Sequence, residues 1–308
     1  MTARIVIVRT DGTEVSETRL LSFSFHKEAY LPYTILRGRM KSDMTDVTGA
    51  AEIKFFIGQT MVHHGLADSL TAETSGGSCI LTFASRSFTS LLCQNQIEPG
   101  MKTGVSINSL MDGYYTLPYV THENDPDTSS YIYVKNNSTM WDGVANLAYK
   151  LHGTYPYIRG TNCVRITPVS QPAEFGYTSG ELLSVGSGLV TSRMTSDFHM
   201  SDINGDFGNY DYTDTDAAAR RIVRHRYFEL DRQFLRDPQD ALLYRDKFAC
   251  RGWKRYFCSY CGYNGEDLSD VISFGSVTDG RICEVEITGS SAGIVTGISV
   301  YLDKFHHQ

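Results

Sequence analysis

The sequence predicts a mainly β protein: two antiparallel β-barrels in one chain, with a small α+β insert between them. Three observations carry that expectation. Strand-like runs from Met61 to Thr71 and from Cys79 to Ser85 flank the tight turn Glu73-Thr74-Ser75-Gly76-Gly77, whose paired glycines supply the positive φ angles of a short hairpin loop. A single strong amphipathic helix signal covers residues 139–152. The C-terminal strands then repeat the opening pattern, with Gly289-Ser290-Ser291-Ala292-Gly293 placed as the first hairpin turn is.

Residues 1–112 read as the first barrel. Residues 4–9 alternate in part, Asp11-Gly12 is a turn dipeptide, and Leu21, Phe23 and Phe25 alternate against serines. Ala29–Met40 reads as a strand with Pro32 near its start, where a missing donor is tolerated. Ala50–Phe56 follows, and then the hairpin. After Ser85 the period changes: Phe88, Leu91 and Leu92 suit a short helix capped by Ser87 and stopped by Pro99-Gly100. A return strand, Thr103–Leu110, would close the barrel.

Residues 113–168 read as the insert. A turn-rich stretch, Asp112–Ser130, with Asp125-Pro126-Asp127 at its centre, marks the boundary. Tyr131–Lys135 is a strand, Asn136-Asn137-Ser138 a turn and cap, and Trp141, Val144, Ala145, Ala148 and Leu151 one helical face that ends at Gly153. Val164–Thr167 completes a βαβ-like unit. Residues 169–308 read as the second barrel, with two strands around Gly186-Ser187-Gly188 and an acidic loop from Ser201 to Asp216. An Arg-rich helix over Asp216–Leu230 and a helix opened by Asp237-Pro238 follow. Strands at Asp270–Phe274, Arg281–Thr288 and Ile294–Leu302 end the barrel, which is read as a duplicate of the first.

Composition narrows the class. A hydrophobic content of 41% with 20% charged residues is ordinary for a globular protein, and a net charge of -7 lacks the basic footprint of a sequence-specific nucleic-acid binder. No run approaches a membrane span. The 19 tyrosines and 15 phenylalanines favour strands and assembly surfaces. Seven cysteines, an odd number widely spread, read as reduced thiols.

The run Ala84-Ser85-Arg86-Ser87, Leu91-Leu92, Asn95 and Pro99-Gly100, within His64–Asn108, resembles the baseplate hub proteins of contractile phage tails and related injection machines, a family that includes the late control D proteins. Ser85 stands where that family has glycine. The resemblance implies a structural protein of the virion tail baseplate, assembled in the host cytoplasm, with two tail-tube-like barrels per chain. It implies a homotrimer presenting six similar barrels, so that a three-fold ring meets a six-fold tail tube. Its implied partners are the tail tube or tube initiator protein, a central spike protein and baseplate wedge or peripheral proteins, with tape-measure protein in the lumen. Two other functions stay open. One is a tail-associated cell-wall hydrolase, although such enzymes carry an extra C-terminal domain and this chain ends at Gln308 after its last strand. The other is a carbohydrate-binding distal tail protein of a non-contractile phage.

Candidate chemistry is weighed against structural roles. Cys258-Ser259-Tyr260-Cys261 has CxxC spacing, and Cys250 and Cys283 would complete a zinc site, but a single close-spaced pair favours packed thiols. His63-His64 and His306-His307 are adjacent and point to opposite faces of a strand. Ser85-Arg86-Ser87 lacks the glycine frame of a nucleophile elbow, so Arg86 is read as a structural residue binding carbonyls or a carboxylate. Asp202, Asp206, Asp211, Asp214 and Asp216 lack a calcium-loop spacing and read as a solvated loop. On the expected helix Arg220 and Arg224 share a face that could meet a neighbouring subunit. No phosphate loop, dinucleotide fingerprint, cofactor site or catalytic constellation stands out.

Overall fold

Alternating burial builds the strands. The N-terminal part supplies β1 (Ala3–Arg9), β2 (Glu14–Glu17), β3 (Leu20–Glu28), β4 (Ile35–Ser42), β5 (Ala50–Ile57), β6 (Thr60–Ser75) and β7 (Ser78–Ser87). The middle supplies α1 (Leu91–Gln94), β8 (Gly100–Val105), α2 (Ile107–Asp112), β9 (Thr121–His122), β10 (Ser129–Val134), α3 (Met140–His152), β11 (Tyr157–Arg159) and β12 (Cys163–Arg165). There follow β13 (Glu174–Tyr177), β14 (Leu182–Leu189), β15 (Asp197–Met200), β16 (Tyr210–Thr213), α4 (Thr215–Ala219), β17 (His225–Phe228) and α5 (Pro238–Ala249). The chain closes with β18 (Lys254–Cys261), β19 (Val271–Phe274), β20 (Val277–Ser290) and β21 (Gly293–Tyr301). The structure, a computed structural model, describes all residues apart from 1, 115, 233–236 and 307–308.

The mainly β class with a small α+β insert is what the fold displays. Thirteen strands join in one sheet, ordered β14-β18-β21-β20-β3-β4-β7-β6-β5-β1-β2, with β19 beside β20 and β13 beside β19. The strands expected in two barrels are therefore continuous, and no barrel closes among the described residues. One hydrophobic core lies along both halves. Phe23, Phe25, Leu36, Phe55 and Phe83 come from the first, and Tyr260, Ile272, Val285, Ile287 and Ile298 from the second.

Five strands of the first half are repeated in order by five of the second. The order β3-β4-β7-β6-β5 in the first matches β14-β18-β21-β20-β19 in the second. The hairpin β6–β7 ends at Ser75↔Ser78, and β20–β21 ends at Ser290↔Gly293. Counting back from those turns, the ladder shifts between Ala67 and Ser69 in one and between Ile282 and Glu284 in the other, which is the same distance. A second matched shift falls between Leu20 and Ser22 on β3 and between Leu182 and Ser184 on β14. Bulges add a residue that the partner strand does not answer, so two coincident bulges mark a shared backbone plan that side chains alone do not reveal.

The halves meet where the second part of β20 pairs with β3, from Glu284↔Glu28 to Ser290↔Ser22. Phe25 and Ile287 face each other there, 2% and 0% exposed. Fully burying side chains of that size stabilises by roughly 1.5–3 kcal/mol each.

Several expectations are corrected. The return strand expected at Thr103–Leu110 is β8, which pairs with β10 away from the large sheet, and its second part is α2, capped by Ser106. Val105, Ile107 and Leu110 pack with Trp141, Val144 and Leu147 of α3 in a separate core. The βαβ-like crossover is absent among the described residues, because β10 and β12 lie in different sheets. Gly186-Ser187-Gly188 is not a loop but the middle of β14. A Cβ at Gly186 would lie 2.4 Å from the Phe257 ring on β18, so the glycine lets that ring lie across the strand. The Arg-rich helix expected over Asp216–Leu230 is a five-residue helix, α4, followed by β17. Helices α3 and α5 form as expected, with Asp237 capping α5 and Gly153 at φ 67 after α3, but the cap of α3 is Thr139, one residue beyond the expected Asn136-Asn137-Ser138.

The close approach of Phe23 to β20 sets a test. A Cβ at Gly289 would lie 2.0 Å from the Phe23 ring. Gly289→Val is expected to destabilise the protein by about 1–3 kcal/mol through overpacking. Urea unfolding should show a lower midpoint at unchanged slope.

Candidate functional site

Two regions concentrate unusual chemistry: the corner where β7 leaves the sheet, and the outer edges of the two halves. At the corner Arg86 donates from Nε and Nη2 to Asp68 Oδ2 and Oδ1 at 2.8 and 2.9 Å, a two-pronged pair that only a guanidinium makes. Asp68 is the bulged residue of β6, so the ion pair fastens the one position that the ladder leaves out. The same guanidinium lies over the Tyr33 ring. Ser87 and Thr34 exchange backbone and side-chain hydrogen bonds, the Thr34 N–H donating to Ser87 Oγ and the Ser87 N–H to the Thr34 carbonyl.

Next to them His63 is fully buried between Thr34 Oγ1 at 2.7 Å and Ser85 Oγ at 2.8 Å. Burial, with the neighbouring His64 adding, lowers its pKa to about 3, so the ring is neutral. His64 meets Glu52 at 2.8 Å. The two imidazoles serve separate partners. Asn162 of the insert donates to the His64 carbonyl and accepts from the Thr89 N–H. Leu91 is half-buried, and its carbonyl accepts from Asn95 N and Nδ2. The Asn95 carbonyl accepts from Met140 N, which ties α1 to α3. Pro99 and Gly100, at φ 120, lead into β8. The residues Arg86, Ser87, Leu91, Asn95, Pro99 and Gly100 thus lie along the path from sheet to insert.

At the edges, β14 pairs only with β18, and β5 leaves β6 after Leu66. Leu183, Val185 and Leu189 on β14 are 58%, 51% and 64% exposed. Sequence reading missed this edge, and the strand β18 beside it. The signal was the uncharged run Leu182–Val190, which the glycines made resemble a loop.

The other residues singled out above are dispersed. Arg220 caps α4, donates to Asp216 and lies over Trp253. Arg224 donates to the carbonyls of Thr191, Ser192 and Met194. They share no helix face, and Arg224 is committed within its own chain. Cys258 is buried, with its thiol pushed up to about 12 by burial, whereas Cys261 is exposed at the end of the same strand. Residues three apart on a strand face opposite ways, so this CxxC does not converge. The Cys250 thiol donates to Asp214. His306 Nδ1 lies 3.1 Å from Asp303 Oδ1. Burial opposes its protonation, but Cys283 and Asp303 push it up to about 10. His307 lies outside the described residues.

The acidic loop is likewise divided. Asp202 accepts from the N–H groups of Asn204 and Asp206, Asp211 meets His199, Asp214 meets Lys304 and Asp216 meets Arg220. Among the described residues three groups of acidic, histidine or cysteine residues do converge: His26 with Glu284 and Glu286, Asp125 with Asp127 and His152, and Asp214 with Asp246 and Cys250. Each is already engaged: His26 pairs with Glu284, His152 pairs with Asp125, and Lys304 from outside the third group pairs with both Asp214 and Asp246. A cavity of about 160 Å³ between insert and sheet is lined by Tyr155, Tyr157, Leu268, Arg281, Tyr301 and His306. Its two cationic groups are held by the Ser269 carbonyl and by Asp303.

This fold is that of phage tail proteins. The chain is similar to the tail protein from Neisseria meningitidis MC58, with a TM-score of 0.72 at 12% identity over 99% of this chain and 98% of that one. It is similar to the 43 kDa tail protein of prophage MuSo2 from Shewanella oneidensis, with a TM-score of 0.71 at 12% identity over 96% and 98% of the two chains. A third likeness is to the E. coli c3393 protein, with a TM-score of 0.55 at 8% identity over 92% of this chain and 73% of that one. It is described as a type VI secretion component with structural similarity to the T4 bacteriophage tail proteins gp27 and gp5. These neighbours agree with the hub-like resemblance of the His64–Asn108 run. No family model and no curated protein matches the chain.

Two outcomes follow at the corner. Arg86→Lys removes the two-pronged geometry of a half-exposed pair and should cost up to about 1 kcal/mol in chemical unfolding. His63 is neutral when folded and titrates near 6.5 when unfolded, so its contribution is complete above that value and declines as pH falls toward about 3. The melting-temperature gap between wild type and His63→Asn should therefore narrow between pH 6.5 and pH 4.

Proposed function

We propose that the chain is a structural baseplate hub of a phage tail or tail-like particle. Three copies form a ring with pseudo-sixfold symmetry that joins a hexameric tail tube to a central spike. The internal repeat carries this reading. A chain whose two halves share strand order and bulge positions presents two equivalent units, and three chains present six. Closed rings of this kind use head-to-tail interfaces, in which the surface offered differs from the surface received. The likeness to tail proteins, including one compared with gp27 and gp5, supports the same placement.

On this reading residues 1–112 and 169–308 are the two tube-like units and residues 113–168 the insert. The tail tube or its initiator lies above, the spike below, wedge or peripheral proteins outside, and tape-measure protein in the lumen. The role is structural. Mass measurement with negative-stain imaging should find a ring of three copies, and a monomer that stays single even beside its spike partner would overturn the proposal.

A further inference from the structure

We infer that a second copy of this chain adds its β14 to the open edge of β6, in the register by which β20 already pairs with β3. The inference rests on the ring proposed above and names the edges that build it.

The junction inside the chain uses one edge from each half, the open side of β20 and the outer side of β3. The repeat gives each a counterpart. The counterpart of β20 beyond its bulge is β6 from Ser69 to Ser75, and the counterpart of β3 is β14. Neither counterpart edge has a strand partner among the described residues. Each chain therefore holds one made junction and both halves of an unmade one.

Exposure identifies the missing neighbour. Phe23 and Lys27 on β3 are 6% and 5% exposed, whereas their counterparts Val185 and Leu189 on β14 are 51% and 64% exposed. Val285 and Ile287 are buried, whereas their counterparts Leu70 and Ala72 remain half-buried. Unpaired strands in stable monomers carry charge or proline against edge-to-edge association. The β14 sequence, Leu182 to Leu189, has neither.

Transferring the internal register sets Leu70 opposite Leu189 of the second copy, Ala72 opposite Ser187, Thr74 opposite Val185 and Ser75 opposite Ser184. Backbone hydrogen bonds along the ladder supply affinity, and the Leu70–Leu189 contact fixes register. The new junction differs from the internal one in its side chains, with Ser187 and Ala72 where Phe25 and Ile287 meet. The His26–Glu284 ion pair, 3.0 Å long, has Gly188 and Ser69 as counterparts, so assembly relies on the ladder and apolar burial.

Paired cysteines test the register. Thr74→Cys with Val185→Cys, mildly oxidised at high protein concentration, should give a covalent ladder that stops at the closed ring. Either single variant, and Thr74→Cys with Leu189→Cys, should not. Val185→Lys with Leu189→Lys should leave the circular dichroism and melting temperature of the free chain unchanged while abolishing rings. Rings that persist in the lysine variant, without cross-links in the matched pair, overturn this inference and leave the hub reading intact. A wild-type chain that forms no rings, together with no cross-links in the matched pair, overturns both.

Discussion

The antiparallel ladder between β3 and β20 is the constraint on which the architecture depends. It turns two repeated halves into one sheet and one core, and it gives the second part of β20 the partner that β19 does not supply. Lys27 shows how tightly the rest is keyed to it. This lysine sits on β3 of the first half at 5% exposure, donates to the Gly160 carbonyl of the insert at 2.8 Å, and pairs with Asp267 of the second half. A buried ammonium is tolerated only when fully partnered, so all three parts of the chain must be in place together. Arg159 to Asp270 and Asn162 to His64 extend the same lock from the insert to each half.

Legibility in the sequence followed the range of the interactions. The hairpin around Gly76-Gly77, both with positive φ, and helix α3 with its Gly153 stop were readable because a few neighbouring residues determine them. The partnership of β3 with β20 was not, because it joins residues more than 250 positions apart and depends on bulges that leave no mark in hydropathy. Gly186 misled for a physical reason: it reads as a turn but is there to accept the Phe257 ring across the strand. Arg224 misled likewise. A basic cluster suggested a charged helix face, whereas three carbonyls of one turn claim its guanidinium. The corner at Arg86 was readable as structural, but Asp68, eighteen residues earlier, could be named as its partner only once the bulge was seen.

The repeat also explains why low sequence similarity between the halves is compatible with a common plan. Counterpart positions differ freely in side chain: Phe23 against Val185, Lys27 against Leu189, Ile287 against Ala72. What persists is backbone geometry, the strand order and the two offsets in the ladder. Offsets are costly to move, because shifting a strand by one residue turns every side chain to the opposite face. Side chains on the same strands are replaceable as long as volume and polarity suit the local burial.

Divergence between the repeats then has a direction. The internal junction has accumulated groups suited to permanence: Phe25 against Ile287, the ion pair of His26 with Glu284, and a buried lysine that the insert must also satisfy. The counterpart edges have kept uncharged residues on β14, with Val185 and Leu189 exposed, and Leu70 and Ala72 half-buried on β6. A junction within one chain forms at high effective concentration and only once, so it can carry interactions that demand exact partners. An edge that must meet another molecule benefits from a bare ladder, which any correctly aligned copy can extend. One sheet duplicated within a chain can in this way hold a permanent and an associative version of the same contact.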